Sequence, residues 1–489
     1  MATSEQAAGI LNKLVDELRK RQQDDGPTNY GVETLEKAYR GEFKLNFATA
    51  DFKEFHADRY KDFADNWCGI VADAPVERLE PIGIRLAGEE TGDKSLWDTW
   101  VANDADALSD LAFLDSIIAK RSFALVWATK DGETRITWEH PSQAIVAYDP
   151  ETRERTAGAK VWADDEHEYA TLYQADQVWK FQRKRTNTSL VLSEEAKAAL
   201  TGNWEPRQAP DDNAWPIPNP LGKVPLVEFA NRPRLLGEPH SDVGGMLKMQ
   251  HAINLLWAEL FAVADEATIG QRLITGAEKP VMPILDENQN IIGEKEIDLR
   301  KWRRDRIGWI EDPTAKPHEW TPAKFDPFTA VIEIMIGHTA AQTRTPAHYL
   351  LIGGTMANVS ADAMKALETG LVKRTEEKTL HLGRSARDVF ELVALVEDDK
   401  AKAKAVRGGK VLWKDVENRG DAQVADAALK DAQIGLPLQY ILEKRYNLPP
   451  AEIERVMGMV RENQNDPVAQ ALIDELGRGD TGTPAASGE

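Results

Sequence analysis

Cysteine is almost missing from this chain: Cys68 is its one thiol. An intrachain disulfide is therefore excluded, as is a zinc site built on several thiolates, and a reducing compartment fits. Positive charge is also short. Against 81 Asp and Glu stand 60 Lys and Arg, a formal net charge of -21. Such a surface repels phosphate instead of releasing its counterions, which argues against broad, non-specific binding to nucleic acid or anionic membrane. Long apolar runs are missing too. The most apolar helix candidate, INLLWAELFAVA at 253–264, carries Glu259 and is too short to span a bilayer. The first residues, MATSEQAAGILNKLVDELRK, are amphipathic, with Ile10, Leu11, Leu14 and Leu18 on one face, and have no signal-peptide core. No membrane segment is expected, and the cytosol is the expected compartment.

Catalytic signatures are equally scarce. No nucleophile elbow, H-E-x-x-H or coherent carboxylate pair occurs. GEETGDKS at 88–95 has the wrong glycine and lysine spacing for a phosphate loop. DDEHE at 164–168 gathers side chains that could bind a metal, but without a partner pattern it fits a charged hairpin tip better. Arg478-Gly479-Asp480 lies in a polar tail of small residues, GRGDTGTPAASGE, expected to be disordered.

What is present is a globular composition: 489 residues, 42% hydrophobic, with 14 Trp, enough for two or more domains. Residues 1–120 pattern mainly as helices. From Phe123 to about Lys184 the period shortens to that of strands, beginning with FALVWATKDGETRITWEHP, whose Asp131-Gly132 is a hairpin turn signal. An antiparallel sheet attached to a helical domain is expected. Five prolines between 216 and 233 then preclude regular helix. Beyond candidate caps Ser241 and Asp242, apolar residues recur from Met246 to Ala267 at alternating spacings of three and four, the pattern of a long helix packed lengthwise on another. Residues 270–325 pattern as short strands and turns. Asp326 and Pro327 open a further helix that runs to Arg344, and after Ser360 the chain is again helical.

Two stretches stand apart. LRKWRRDRIGW concentrates Arg300, Lys301, Arg303, Arg304 and Arg306 beside Trp302 and Trp309 in an otherwise acidic chain. It is either a solvated face or a contact for a partner or phosphate. TPAHYLLIGGTMANVSADAMKALETGL has no formal charge from Thr345 to Ala361 and passes through Gly353-Gly354 between two helices.

The order of elements resembles a tailed-bacteriophage portal protein of the siphophage type. The likeness is carried most specifically by NPLGKVPLVEFANRPRL with GGMLKMQHAINLLWAELFAVADEATIGQRLITG, and by AAQTRTPAHYLLIGGTMANVSADAMKALETGLVKR. NWCGIVADAPVERL and YDPETRERTAGAKVW are weaker echoes, and the likeness covers about residues 25 to 440. It implies an α+β, mainly helical portal-like fold: a wing at 1–242 with a β-rich insert at about 123–184, a first stem helix at 243–269, and a clip at 270–326. A second stem helix at 327–345, a tunnel loop at 346–359, a long helix joining wing and crown at 360–408, a helical crown at 409–475 and the tail at 476–489 complete it.

The resemblance further implies a non-enzymatic ring, dodecameric in virions, at one capsid vertex, assembled in the host cytoplasm. Double-stranded DNA would enter and leave through it, and the major capsid protein, the terminase large subunit and a head-tail connector (adaptor) would bind it. Neither membrane nor cofactor nor metal is implied. His348, Tyr349, Leu350, Gly353, Gly354, Thr355 and Asn358 would belong to the tunnel loop along the DNA channel, and Arg300, Trp302, Arg303, Arg304, Arg306 and Trp309 to the partner contact of the clip. Tyr349, Leu350, Leu351 and Ile352 could instead be core residues, since apolar runs are usually buried. A protein of another class stays open as well: a cytosolic metal-dependent enzyme with Asp164, Asp165 and Glu168 as its acidic site.

Overall fold

A computed structural model describes residues 3–44, 64–185, 203–207, 216–268, 272–275, 281–285, 291–296, 307–310, 314, 325–350, 361–417 and 420–465. Helix α1 (Ser4–Gln22) begins with a capping box: the Thr3 hydroxyl accepts from the Gln6 backbone, and the Gln6 side chain accepts from the Thr3 N–H. Helices α2 (Val32–Tyr39) and α3 (Trp67–Val76), strand β1 (Pro81–Arg85), and helices α4 (Lys94–Ala102) and α5 (Ala105–Ala119) follow. Side chains of Asn66 and Asp93 cap α3 and α4 by accepting first-turn N–H groups.

The change of period at residue 123 marks a change of architecture. Strands β2 (Arg121–Ala128), β3 (Thr134–Glu139), β4 (Ala144–Tyr148), β5 (Arg155–Ala163), β6 (His167–Gln174) and β7 (Gln177–Lys184) are followed by the two-residue β8 (Glu205–Pro206) and β9 (Ile217–Pro218), then β10 (Leu226–Ala230). β2 and β3 form the expected hairpin, with Gly132 at φ +85° in its turn. β10 pairs on the other side of β2, giving a three-stranded antiparallel sheet. β4-β5-β6-β7-β8 run side by side in a six-stranded antiparallel sheet that β9 completes on β7.

Beyond the prolines, α6 (Leu247–Thr268) is the long helix that the spacing from Met246 predicts. β11 (Arg272–Thr275), β12 (Val281–Leu285), β13 (Ile291–Glu296) and β14 (Ile307–Ile310) form two small pairs, β11 parallel with β14 and β12 antiparallel with β13. α7 (Asp326–Thr343) then packs against α6. Pro327 sits in its first turn, but the N-cap position is Phe325, and Asp326 lies inside the helix. The one-turn α8 (Ala347–Leu350) precedes α9 (Ala361–Val396), 36 residues long.

The helical stretch expected over 360–408 is divided. Asp398 adopts φ +56°, and the Asp399 side chain caps a separate α10 (Lys400–Arg407) by accepting from the Lys402 N–H at 2.8 Å. A further strand, β15 (Lys410–Trp413), pairs antiparallel with β1, and α11 (Asp421–Gln433), α12 (Leu438–Lys444) and α13 (Pro450–Asn465) close the described chain.

The main core is continuous from Trp100, Phe113 and Phe229 through Val243 and Ile253 to Ile332, Ile336 and Phe390, so α4, α5, β10, α6, α7 and α9 share one interior. A second core lies under α1, where Leu11, Leu14 and Leu18 meet Leu172, Trp179 and Phe181 of the six-stranded sheet. Ile10 is only partly buried there. Phe123, Val146, Tyr173 and Leu226 form a third cluster involving both sheets. Cys68 is wholly buried, and burial pushes its thiol up to about 12, so it is no nucleophile.

Candidate functional site

The uncharged stretch after Thr345 is rooted in a buried electrostatic cluster. Asp242 lies just before α6, and Arg374 lies in the first half of α9, on the same side as Lys378 one turn later. The Asp242 Oδ2 atom stands 2.6 Å from Arg374 Nη2 and 2.5 Å from Lys378 Nζ, all three side chains being at most 5% exposed. Burial alone would raise the Asp242 carboxyl, but the charges of Arg374 and Lys378 and their hydrogen bonds outweigh it and hold the carboxyl far below the usual range. Asn231, itself buried, accepts from Lys378 Nζ at 2.6 Å and donates to Asp242 at 3.2 Å, so the cluster's polar atoms are engaged. Expected as a helix cap, Asp242 instead serves α9; Ser241 takes the local role, accepting from the Gly244 N–H at 3.0 Å.

Arg374 also reaches the end of α7. Its Nη1 donates to the Thr343 carbonyl at 2.8 Å and to Thr345 Oγ1 at 3.3 Å, while Nη2 donates to the Val71 carbonyl of α3 at 3.1 Å. The guanidinium thus supplies a donor and a positive charge where the helix leaves unsatisfied carbonyls, and Arg344 turns the chain out at φ +55°. A single side chain ties the entry to α6, the exit from α7 and the side of α9.

The chain then makes α8, which holds three of the expected tunnel-loop residues. Leu350 is 1% exposed and belongs to the main core. The Tyr349 hydroxyl accepts from Arg78 Nη2 at 2.9 Å, and the same nitrogen meets Glu368 of α9 at 3.2 Å. His348 Nε2 stands 3.8 Å from Glu368, and its ring meets Tyr349 edge-on at 4.7 Å between centroids. Gly353, Gly354, Thr355 and Asn358 lie outside the described residues, as do Leu351 and Ile352.

Of the basic run, Arg300, Trp302, Arg303, Arg304 and Arg306 likewise lie outside the described residues. Trp309 stands in β14, opposite Ile274 of β11. The acidic residues at 164–168 do not converge on one point. Asp164 turns the β5–β6 hairpin, accepting from the Glu166 and His167 N–H groups and from the Tyr169 hydroxyl, whereas Glu168 pairs with Arg183.

With this geometry in place, comparison with known proteins decides the family. The model of the phage portal protein family described as SPP1 Gp6-like matches residues 32–466. The chain belongs to that family. It is a portal protein, a structural component of the phage particle. Among its relatives are the portal proteins of Mycobacterium phages L5 and D29, each 24% identical, over 382 and 383 residues respectively, covering 74% of this chain and 71% of the relative. A solved structure described as the neck of an empty GTA particle computed with C6 symmetry aligns over 87% of this chain and 95% of its own, at 11% identity and a TM-score of 0.39. A second, from the virion of a native gene transfer agent particle, aligns at 10% identity and a TM-score of 0.34, again over 87% and 95%. No described helix of this portal protein is long and apolar enough to cross a membrane.

One further constellation of the portal chain has no motif. Glu36 of α2, Asp115 of α5 and His140, just after β3, place ligand-capable atoms within 4.8 Å of one another. The Ser142 N–H donates to His140 Nδ1 at 3.2 Å, which leaves the proton of the neutral ring on Nε2, 3.3 Å from Glu36. Burial pushes the Asp115 carboxyl up to about 6, against the pull of His140 and with a push from Glu36. Burial works against a charged His140 ring, but Glu36 and Asp115 outweigh it and raise its pKa. The arrangement is suited to holding a proton.

Proposed function

We propose that this portal protein works as a closed ring, dodecameric in the virion, at one capsid vertex, through which double-stranded DNA enters and leaves. In this reading residues 1–242 are the wing, α6 and α7 the stem helices, 270–326 the clip, 346–359 the tunnel loop, and 409–475 the crown. The packaging terminase large subunit docks on the ring, a head-tail connector replaces it, and the major capsid protein surrounds the wing. Assembly takes place in the host cytoplasm, and the energy for packaging comes from the separate terminase, the portal chain having no catalytic role.

The observation that carries this reading is the bracing of Asp242, Arg374 and Lys378. It fixes the ends of both long helices and the root of the 346–359 stretch to one 36-residue helix. A loop that touches a moving duplex needs such an anchor, and Leu350 and Tyr349 supply it on the protein side. The channel surface then falls to Gly353, Gly354, Thr355 and Asn358, whose lack of charge lets DNA pass without its phosphates being gripped. The acidic total acts in the same sense.

The test is a pair of charges. Thr355→Asp with Asn358→Asp should leave folding and ring formation intact and hinder DNA passage or retention. Loss of stability together with loss of the ring would refute the tunnel-loop assignment, and unchanged packaging would refute its role.

A further inference from the structure

Leu235 and Leu236 are 92% and 85% exposed, more than any other large apolar side chain among the described residues. They do not sit on a loose loop. Asn231 closes its base by accepting from the His240 N–H at 3.1 Å and donating its side-chain amide to the His240 carbonyl at 2.7 Å. Arg121 binds Glu238, Arg234 donates to His240 Nε2 at 3.1 Å, and Gly237 turns the chain at φ +93°. The base is further locked to the buried cluster, since Asn231 meets both Lys378 and Asp242. A braced loop with two leucines at its tip is shaped to be covered by another protein surface.

The charges around the tip indicate which surface. Among the described residues, Arg232 has only a long pairing of 3.8 Å with Glu377, and Arg234 meets a histidine instead of a carboxylate. Burial and Arg234 lower the pKa of His240, which disfavours a charged ring there, and among the described residues no carboxylate pairs with the Arg234 guanidinium. The same chain carries the complementary face. On α5, Leu108 and Leu111 are 38% and 58% exposed, and Val101 of α4 is 43% exposed. Asp104 stands four and seven residues before Leu108 and Leu111, on their face of the helix, and Asp110 is next to Leu111 in the chain; neither they nor Asp106 has an ion-pair partner among the described residues. Asp110 is held above its usual range by burial and by Asp73, a condition that an incoming cation relieves. Within one chain both patches are open to solvent, so neither covers the other.

We infer that the 231–240 loop is a plug between copies: Leu235 and Leu236 seat against Leu108 and Leu111 of a second copy of this chain, with Arg234 beside that copy's Asp104 and Asp110. The contact joins two different patches, so it is head-to-tail and propagates around a ring. The inference rests on the ring reading above and specifies one of its joints.

The experiment uses the full chain, purified alone, with mass measured by sedimentation and subunit melting followed in parallel. The unsubstituted chain should form rings. Leu235→Asp with Leu236→Asp should weaken assembly at least tenfold with unchanged subunit melting. Arg234→Glu should weaken it as well, and adding Asp110→Arg in the same chain should restore it, because every joint then carries both changes. Leu235→Cys with Leu111→Cys should yield a ladder of cross-linked multimers under mild oxidation that neither single variant gives; buried Cys68 does not compete. Rings from the double aspartate variant at normal strength, or rings of the double cysteine variant without a ladder, would overturn the plug and leave the ring reading standing. A monomeric unsubstituted chain would overturn both.

Discussion

Asp242 and Arg374, 132 residues apart in sequence, meet through Oδ2 and Nη2 at 2.6 Å in the interior, with Lys378 on the same oxygen. One carboxylate thus faces two cations. Removing it leaves two buried basic groups side by side without a counter-ion, while removing Arg374 leaves a balanced Asp242–Lys378 pair. Arg374→Met should therefore cost about 3 kcal/mol and Asp242→Asn about 5 kcal/mol or more. Urea unfolding followed by tryptophan fluorescence measures both. Equal losses would mean that the three charges do not act as one cluster.

Stability should fall at both ends of the pH scale, for different residues. Asp242 has a depressed carboxyl pKa, so its contribution is complete above the ordinary aspartate range and is lost as acid lowers the pH through the depressed value. Asp115 behaves oppositely. Its carboxyl is pushed up to about 6 from 3.8, so the folded state holds the proton more tightly and loses stability as pH rises between those values. His140, with a raised pKa, adds a loss in the same direction as pH climbs past 6.5. Asp115→Asn should flatten the decline between about pH 4 and about pH 7 and leave the neutral protein more stable by on the order of 1–3 kcal/mol. An unchanged pH profile would contradict the raised Asp115 carboxyl.

The pairing of β1 with β15 has a sharp test at Gly409. A Cβ there would lie 2.4 Å from the Arg85 carbonyl oxygen, which is backbone and cannot swing aside. Gly409→Ala should destabilise the protein by on the order of 2 kcal/mol and release amide protection in both strands first. Hydrogen exchange reads this directly; unaltered protection at Ile84 and Val411 would show that the two strands do not depend on each other.

The basic run near Trp309 calls for a functional test. Replacing Arg303, Arg304 and Arg306 together with Glu should leave rings intact and impair DNA packaging or connector attachment. Normal yield of infectious particles would reduce the run to a solvated face.

Much of the fold was legible where a periodic signal was long. The alternation of threes and fours from Met246 to Ala267 corresponds to α6, and Asp131-Gly132 marks the β2–β3 turn, because in both cases neighbouring residues determine local structure. Where distant partners decide, the sequence was mute. KVLW at 410–413 is too short to identify as a strand, and its partner PIGIR at 81–85 lies in a region that patterns as helix. Asp398 and Asp399 interrupt a helical pattern that neither glycine nor proline breaks at that point. The candidate site divides in the same way. The uncharged 345–361 stretch stood out by composition, whereas Asp242, Arg374 and Lys378 are three ordinary charged residues until packing brings them together. Glu36, Asp115 and His140 are likewise joined only by the meeting of α2, α5 and the end of β3.

Whether this chain closes into a ring, as proposed, is decided by the mass of the purified chain in solution. Native mass spectrometry of the 54.5 kDa chain should give a single large integral multiple of that mass, with a central hole in negative-stain images of the same sample. A monomer persisting at micromolar concentration across several salt conditions would contradict it.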